Sequence, residues 1–242
     1  MDSYPLTFSQ DGLIIITPDD DCHRVVDAML AIEYSEEFCV ALDFDPWFVA
    51  ELMEAGFLVM SLGIKSKKGK KWNYILLPKL HLERSVVFWE NMRETKTARR
   101  LSHRYELRVD CDFDFILERC AAVHGEDWLT PPLRQCLKEI RAMPNAPVRP
   151  ISFGVYREGE LKAGEFGVLA RGTYTSYSGY HDENSAGTVQ LLLLGRYMRE
   201  SGFAFWDLGM PLEYKDRLGA TTLLPEQFVK IFRDSFVRNT KP

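Results

Sequence analysis

The pattern of hydrophobic and polar positions changes near Pro150, where a two-residue rhythm typical of a sheet begins. It continues to Tyr180 and is interrupted by short turns at 157–160 and 170–172. We therefore predict three strands joined by tight hairpins, so that neighbouring strands are antiparallel.

A helix is predicted from about 186 to 201, because Gly202 is a favourable residue to follow a helix C-terminus. The apolar segment 203–210 then predicts a buried strand, parallel to the one before the helix, since a crossover helix separates the two. Two short helices, around 211–218 and 225–237, are expected to close the chain.

The first 150 residues predict alternating helices and strands. The predicted strands are 13–17, 72–77 and 105–110, and the predicted helices are 18–34, 46–60, 83–100, 112–123 and 131–143. We thus expect a mixed α/β (α+β) fold of mostly antiparallel strands with one β-α-β crossover. The expected division is a small N-terminal α/β domain, 1–76, and a larger domain, 77–242.

Composition indicates an ordinary globular protein of 242 residues, with 46% hydrophobic and 27% charged residues. The N-terminus lacks the pattern of a secretory signal, and no apolar run is long enough to predict a membrane span. The five cysteines are scattered and include no C-x-x-C pair, which is typical of reduced thiols in a cytoplasm. No cluster of histidines and cysteines predicts a metal site.

The net charge of −5 conceals a basic band between Lys65 and Arg104. This band contains 12 lysines and arginines and three glutamates, whereas the rest of the chain is acidic. Such an asymmetry favours contact with a polyanion, although a solvated basic surface is an equally good interpretation of charge alone.

The loop before the predicted 186–201 helix consists of small residues, Asn184, Ser185, Ala186, Gly187 and Thr188. Free N–H groups at a helix N-terminus bind anions, and small side chains let a ligand approach the backbone. Capping by Asn184 or Ser185, with no ligand, is the alternative interpretation. The order of strand, small-residue loop, helix and strand resembles the pyrophosphate site of GNAT-type acyltransferases.

Several segments resemble the leucyl/phenylalanyl-tRNA–protein transferase family in order and spacing, from about Leu77 to Phe232. The matching positions are Leu80, His81, Arg84 and Ser85 in an L-H-x-x-R-S element, the helix DFDFILERCA, Trp128-Leu129-Thr130 beside W-I-T, the strand pair 153–172, and Asp207, Leu218, Gly219, Ala220 and Phe228 in the C-terminal segment. The resemblance implies a GNAT-like fold.

The resemblance also implies an activity. Members of this family move leucine or phenylalanine from aminoacyl-tRNA to the N-terminus of a protein with a basic first residue, as in N-degron tagging. They do so in the cytoplasm with aminoacyl-tRNA as co-substrate, and without CoA, metal or membrane. Two alternatives remain open: a CoA-dependent GNAT N-acyltransferase, which would use acyl-CoA, and a non-catalytic descendant that binds tRNA or a peptide.

The chain departs from the family pattern in the tyrosine-rich segment. Tyr177 stands where the pattern has glutamate, Gly179 where it has methionine, and Gly209 where it has glutamine. Catalytic roles are expected for Asp207, which could orient or accept a proton from the amine, and for Tyr177 and Tyr180, which could donate to an oxyanion. His181 is a further candidate base.

The resemblance implies binding residues as well. A pocket for the transferred side chain would be lined by Tyr174, Gly179, Leu191, Leu194, Met198 and Trp206, and Trp128 would stack on the terminal adenine of the tRNA. Backbone phosphates of the tRNA would contact Lys67, Lys68, Lys70, Lys71, Arg99 and Arg100. A core position is the alternative interpretation of the apolar stripe Leu191, Leu194 and Met198.

Overall fold

The computed structural model describes residues 4–66 and 72–236. Its strands are β1 (Thr7–Phe8), β2 (Ile14–Ile15), β3 (Leu58–Lys65), β4 (Trp72–Lys79), β5 (Arg84–Val87), β6 (Glu106–Val109), β7 (Val148–Arg157), β8 (Glu160–Ala170), β9 (Thr173–His181), β10 (Phe205–Asp207) and β11 (Thr221–Leu223). Its α-helices are α1 (Cys22–Ala31), α2 (Pro46–Glu54), α3 (Lys96–Leu101), α4 (Phe113–His124), α5 (Pro131–Ala142), α6 (Ala186–Glu200), α7 (Glu213–Leu218) and α8 (Pro225–Arg233).

Within the described ranges, seven strands form one sheet in the order β11-β5-β10-β9-β8-β7-β6. The parallel pair is β9 with β10, which the crossover helix α6 connects, and the other neighbours are antiparallel. The predicted fold class, mostly antiparallel strands with one β-α-β crossover, is confirmed. Two shorter pairs, β1 with β2 and β3 with β4, lie outside this sheet.

Local sequence explains where the helices begin. The side chain of Asp21 accepts hydrogen bonds from the first turn of α1, and Asp45 caps α2 with Pro46 in its first turn. Gly202 follows α6 with a φ of +80°, a conformation that glycine adopts without strain. These helices and the three hairpin strands confirm the corresponding predictions, except that the helix predicted over 46–60 ends at Glu54 and its last three residues belong to β3.

The predicted helix over 83–100 is wrong. Residues 84–87 form β5, which lies between β11 and β10 in the sheet, and α3 begins only after Thr95, whose hydroxyl accepts from the Ala98 N–H. All four β5 residues are buried. A four-residue segment that is buried on both faces has no periodicity that separates a strand from a helix.

The two faces of the large sheet are covered by different elements. On one face, α6 packs with Tyr174 and Trp206, which share a cluster with Leu194 and Met198. On the other face, α4 and α5 pack, together with apolar residues from the first 60 positions, around Phe166. This core includes residues from both sides of position 76, and the division of the chain at that position stays a prediction.

Among the helices of the described ranges, none combines the length and the apolar character that crossing a bilayer requires.

Candidate functional site

The centre of the sheet opens where β9 and β10 separate. The two strands are paired over three residues each, Thr173–Thr175 with Phe205–Asp207, and β9 then continues alone to His181. Residues 176–179 are half-buried, although β9 is a central strand. The structure therefore gives solvent access to the middle of the sheet, at the carboxyl ends of a parallel strand pair.

Lys215 of α7 holds the chain away from β9 after β10 ends. Its Nζ donates to the carbonyl oxygens of Leu208, at 2.5 Å, and Met210, at 2.6 Å. Burial lowers the pKa of Lys215 to about 8, against the opposing effect of the charges of Asp207 and Glu165. The lysine is thus a buried charge that fixes the turn beyond β10.

Glu165 of β8 is the centre of a polar network beside this opening. Its carboxylate accepts hydrogen bonds from the Tyr174 hydroxyl, at 3.0 Å, from the Ser176 hydroxyl, and from the Gln190 amide, at 2.9 Å. The Trp206 indole in turn donates to Ser176. Burial raises the pKa of Glu165, although the three hydrogen bonds act in the opposite direction.

On the opposite face of the sheet, Asp207 forms a buried ion pair with Arg84. The guanidinium donates hydrogen bonds from Nε and Nη2 to the two carboxylate oxygens at 2.8 and 2.6 Å. Its Cζ atom lies 4.3 Å from the centroid of the Phe228 ring. The Thr175 hydroxyl and the Gly209 N–H also donate to Asp207. Its two oxygens thus accept four hydrogen bonds from protein groups, a geometry suited to holding β5, β9 and β10 together.

The predicted catalytic tyrosines lie on the same face as Asp207. The Tyr177 hydroxyl accepts from the Val59 N–H at 3.0 Å, and its ring packs on Phe166. Tyr180 packs against α4, with the Arg119 guanidinium 5.3 Å from its ring centroid. Burial raises the pKa of both phenols. The structure therefore does not bring the tyrosines to the Glu165 network, and their catalytic roles stay predictions.

The residues predicted to line the side-chain pocket are partly together. Tyr174, Leu194, Met198 and Trp206 are buried in one cluster with α6, and Leu191 packs at its margin. Gly179 lies beside the network instead: a Cβ at this position would be 3.2 Å from Gln190 Nε2 and 3.4 Å from Glu165 Cβ. The space that a glycine leaves here is therefore occupied by the glutamate and the glutamine.

A cleft of about 280 Å³ lies between α6, α7 and the start of α3. Leu191, Thr188 and Tyr214 are among the residues that line it. Burial, with the charge of Glu165 as a further cause, raises the pKa of Tyr214 to about 12.

The small-residue loop 184–188 leads directly into α6 and the cleft. Ser185 has a φ of +70° and its side chain forms no capping hydrogen bond among the described residues, whereas Ala186 is buried and Thr188 lines the cleft. Asn184 is exposed, and Gly187 lies close to the exposed His181 ring. The geometry does not test the predicted anion site, which stays a prediction.

The basic band reaches the rim of the same cleft. Arg99 and Arg100 lie in the last turn of α3, both exposed, and α3 packs against α6. Arg93, also exposed, lines the cleft. The predicted phosphate contacts Lys67, Lys68, Lys70 and Lys71 lie outside the described residues.

Trp128 lies on the other side of the sheet from the cleft. Its half-buried ring is parallel to the Phe166 ring, with centroids 6.4 Å apart, and its carbonyl accepts from Ser61. The predicted adenine contact is therefore not adjacent to Leu191 or Tyr214, and it stays a prediction.

In the described residues, neither a metal-ligand cluster nor the groove between α1 and α8 adds to the predicted site. Among residues 4–66 and 72–236, no three histidine, cysteine, aspartate or glutamate side chains are grouped as a metal site would require. A groove of about 520 Å³, with Met29, Leu80 and Leu224 in its wall and Glu33 at its rim, lies between α1 and the start of α8. It contains none of the predicted site residues.

Sequence reasoning missed Glu165, Gln190 and Lys215. Glu165 and Gln190 are polar residues in otherwise apolar segments: Glu165 precedes FGVL in β8, and Gln190 precedes four leucines in α6. A charged or amide side chain at a buried position is costly unless it is paired or functional, so this contrast was the available signal. Lys215 lies among charged residues, so its segment carries no such contrast.

Comparisons with known proteins identify relatives of the chain. Residues 86–233 match the family model described as leucyl/phenylalanyl-tRNA protein transferase. A leucyl/phenylalanyl-tRNA–protein transferase of Pseudomonas paraeruginosa (strain DSM 24068 / PA7) is 27% identical over 158 residues, 64% of this chain and 64% of the relative. One from Thermosynechococcus vestitus is 25% identical over 141 residues, 57% of this chain and 69% of the relative.

The match to the Pseudomonas paraeruginosa protein thus spans less than two thirds of that relative's length. Among solved structures, L-PGS from Bacillus licheniformis gives a TM-score of 0.40 at 13% identity, covering 86% of this chain and 69% of that chain. A GCN5-related N-acetyltransferase from Kribbella flavida gives 0.37 at 12% identity, covering 86% and 73%. Likenesses this low define neither fold nor function. The family model matches more than half of the residues of this chain, and the chain therefore belongs to the leucyl/phenylalanyl-tRNA protein transferase family.

Proposed function

We propose that the protein transfers an amino acid, leucine- or phenylalanine-like, from aminoacyl-tRNA to the N-terminal amine of an acceptor protein or peptide. The observation that carries the proposal is the family match over 86–233, which contains the opening between β9 and β10, the cleft and the Glu165 network. We further propose a basic first residue on the acceptor, an N-degron tagging role, and a cytoplasmic location, where aminoacyl-tRNA is available.

The electrostatics support a polyanionic substrate. Arg93, Arg99 and Arg100 are exposed beside the cleft, and none of them forms an ion pair with a carboxylate in the described part of the chain. Phosphate contacts by such residues are salt-sensitive and largely independent of sequence. We infer that the acceptor stem of the tRNA lies along α3, so that its aminoacyl end enters the cleft.

The proposed reaction requires no covalent bond between the protein and either substrate. The neutral amine attacks the ester carbonyl, an amide bond forms, the ester bond to the terminal ribose breaks, and one proton moves from the amine to the departing ribose hydroxyl. The protein must hold the two substrates in line, keep the amine unprotonated at the moment of attack and stabilise the oxyanion.

Within this proposal the buried residues have distinct tasks. We infer that Asp207 acts through Arg84, by holding the strands that border the opening, because four protein donors fill the roughly four acceptor sites of its carboxylate. Lys215 maintains the opening by binding the Leu208 and Met210 carbonyls. Leu191 contributes an apolar wall for the transferred side chain.

We also propose that residues 1–76 form a separate small domain. The Tyr177 hydroxyl, which accepts from Val59, would then be a contact between the two domains. Separate production of residues 1–76 and 77–242 tests the division, because position 76 lies inside β4 and is buried from proteases. Each fragment should give a folded circular-dichroism spectrum, and an unfolded spectrum of either fragment would contradict the division.

A transfer assay tests the proposed function. Leucyl- or phenylalanyl-tRNA carrying a radiolabelled amino acid is incubated with the protein and with peptides that begin with arginine or lysine. Label should enter the peptide, and an N-acetylated peptide of the same sequence should remain unlabelled. Folded protein that leaves every free-amine peptide unlabelled would contradict the proposal.

A further inference from the structure

We propose that the Glu165 carboxylate and the Gln190 amide oxygen bind the primary ammonium group of a substrate where β9 and β10 separate. This inference rests on the proposed function and adds to it the binding residues for one of the two amines in the reaction. It concerns binding of the ammonium form before the amine loses its proton.

The first observation is an unmatched acceptor beside a carboxylate that accepts three hydrogen bonds. The Gln190 amide nitrogen donates to Glu165 at 2.9 Å, which orients the amide oxygen away from the bond. That oxygen is buried and has no hydrogen-bond partner among the described residues, and Gln190 is only 4% exposed. Buried acceptors in native proteins are rarely left unmatched, so a donor from outside the chain is expected.

The second observation is the charge of the site. Glu165 is 5% exposed, and no cation forms an ion pair with it within the described ranges. Burial raises the pKa of its carboxyl, as expected for an anion without a cationic partner in contact. An ammonium group supplies both the missing positive charge and three N–H donors, whereas a hydroxyl supplies one donor and no charge.

The third observation is the route to the site. Ser176, which donates to Glu165, and Gly179, beside Gln190, are both half-buried at the opening in β9. Thr188 and Leu191 lie on either side of Gln190 in α6, and both line the cleft. An amine that enters at the opening in β9 therefore meets Ser176 and Gly179, the residues that lie against the two acceptors.

Two amines meet these requirements: the α-ammonium of the aminoacyl group and the N-terminal ammonium of the acceptor. Two probes separate them. One is phenylalanyl-adenosine with a non-hydrolysable 3′-amide link, and the other is an acceptor peptide beginning with arginine. Each is compared with its N-acetylated form by isothermal titration calorimetry, a readout that does not depend on transfer.

The variants are Glu165→Gln and Gln190→Leu, with Glu160→Gln, an exposed carboxylate on the same strand, as the matched control. Loss of a charged hydrogen bond should weaken binding of the free-amine form of one probe roughly 10- to 100-fold. Binding of the acetylated form of that probe should be unchanged. The probe that responds identifies the source of the ammonium. The affinity of that probe should rise with pH through the raised pKa of Glu165 in the wild-type protein, because the carboxylate forms, and this rise should disappear in Glu165→Gln.

Equal affinities of the wild-type and variant proteins for both free-amine probes would overturn the inference. Transfer activity separates this failure from failure of the proposed function. If Glu165→Gln transfers with unchanged kcat and KM, the function stands and the ammonium site is wrong. If the wild-type protein does not transfer but still prefers a free-amine probe through Glu165, the function is wrong and the site stands.

Discussion

Replacing Asp207 with asparagine should destabilise the protein strongly, because it leaves the Arg84 guanidinium buried without a counter-charge. Arg84 is 2% exposed and Asp207 is fully buried, and the two form a two-bond contact at 2.8 and 2.6 Å. Removing one partner of a buried ion pair costs about 3–5 kcal/mol. Native domains are stable by only about 5–15 kcal/mol, so the variant should lose a large share of the total.

The measurement is urea denaturation at pH 7, followed by circular dichroism and by tryptophan fluorescence, and analysed by linear extrapolation. The double variant Arg84→Met with Asp207→Leu should recover part of the loss, since apolar replacement of both partners is often close to neutral. The control is Glu213→Gln, which removes the exposed i,i+4 pair with Arg217 and should leave the urea midpoint unchanged.

Two results would refute this reasoning. The first is a loss of unfolding free energy below about 1 kcal/mol in Asp207→Asn, which is less than an unpaired buried charge requires. The second is a double variant that is no more stable than Asp207→Asn. A folded, stable Asp207→Asn protein that has lost transfer would point instead to direct participation of Asp207 in the reaction. The stability measurement therefore decides between a positioning and a catalytic role.

Three further predictions concern charge, pH and backbone packing. Replacing Arg99 and Arg100 with alanine should weaken tRNA binding and reduce the slope of log affinity against log salt by up to about 2, measured by filter binding at several salt concentrations; an unchanged slope would exclude these phosphate contacts. Burial, with nearby cations, lowers the pKa of His81 to about 2, so the folded state resists its protonation. Stability should therefore fall by about 1.4 kcal/mol per unit as pH decreases below about 6. His81→Phe should flatten this dependence of the urea midpoint, and an equal slope in the variant would contradict the assignment. Gly167→Ala should destabilise the protein by roughly 1–3 kcal/mol or more, because its Cβ would lie 2.2 Å from the Thr175 carbonyl oxygen. A wild-type thermal midpoint in that variant would show that the strand relaxes instead.

Most of the architecture could be predicted because its signals are local. Capping aspartates, prolines in first turns and short hairpin connections identify their elements without any knowledge of long-range contacts. β5 could not be predicted in this way, since its four buried residues become a strand only by pairing with β10 and β11, both more than 100 positions later.

The candidate site was harder to predict because it depends on which face each side chain occupies. Strict alternation along β9 would put Tyr180 on the face of Tyr174. A bulge opposite Phe166 and Gly167 adds Tyr177 as an extra residue, so Gly179 faces Glu165 and Tyr180 faces α4 instead. Side chains before the bulge follow strict alternation between the two faces, and those after it lie on the face opposite to the one that alternation predicts.

The same limit applies to the carboxylate. The resemblance locates a glutamate of the family pattern at Tyr177, whereas the buried carboxylate beside the opening in β9 comes from β8, at Glu165. Neighbouring strands present side chains within a few ångströms of one another, although they are distant in sequence. A comparison made position by position along one strand therefore misses a residue supplied by the next.

The pairing of Arg84 with Asp207 joins residues 123 positions apart, and it has a consequence for folding during synthesis. When β5 leaves the ribosome, neither β10 nor β11 exists, and Phe228, which lies against the Arg84 guanidinium, is still to be made. Because non-local contacts of this kind form late, the β11-β5-β10 side of the large sheet can form only after almost the whole chain has emerged. Chains truncated before α8 should therefore remain incompletely folded and be bound by chaperones or degraded by proteases.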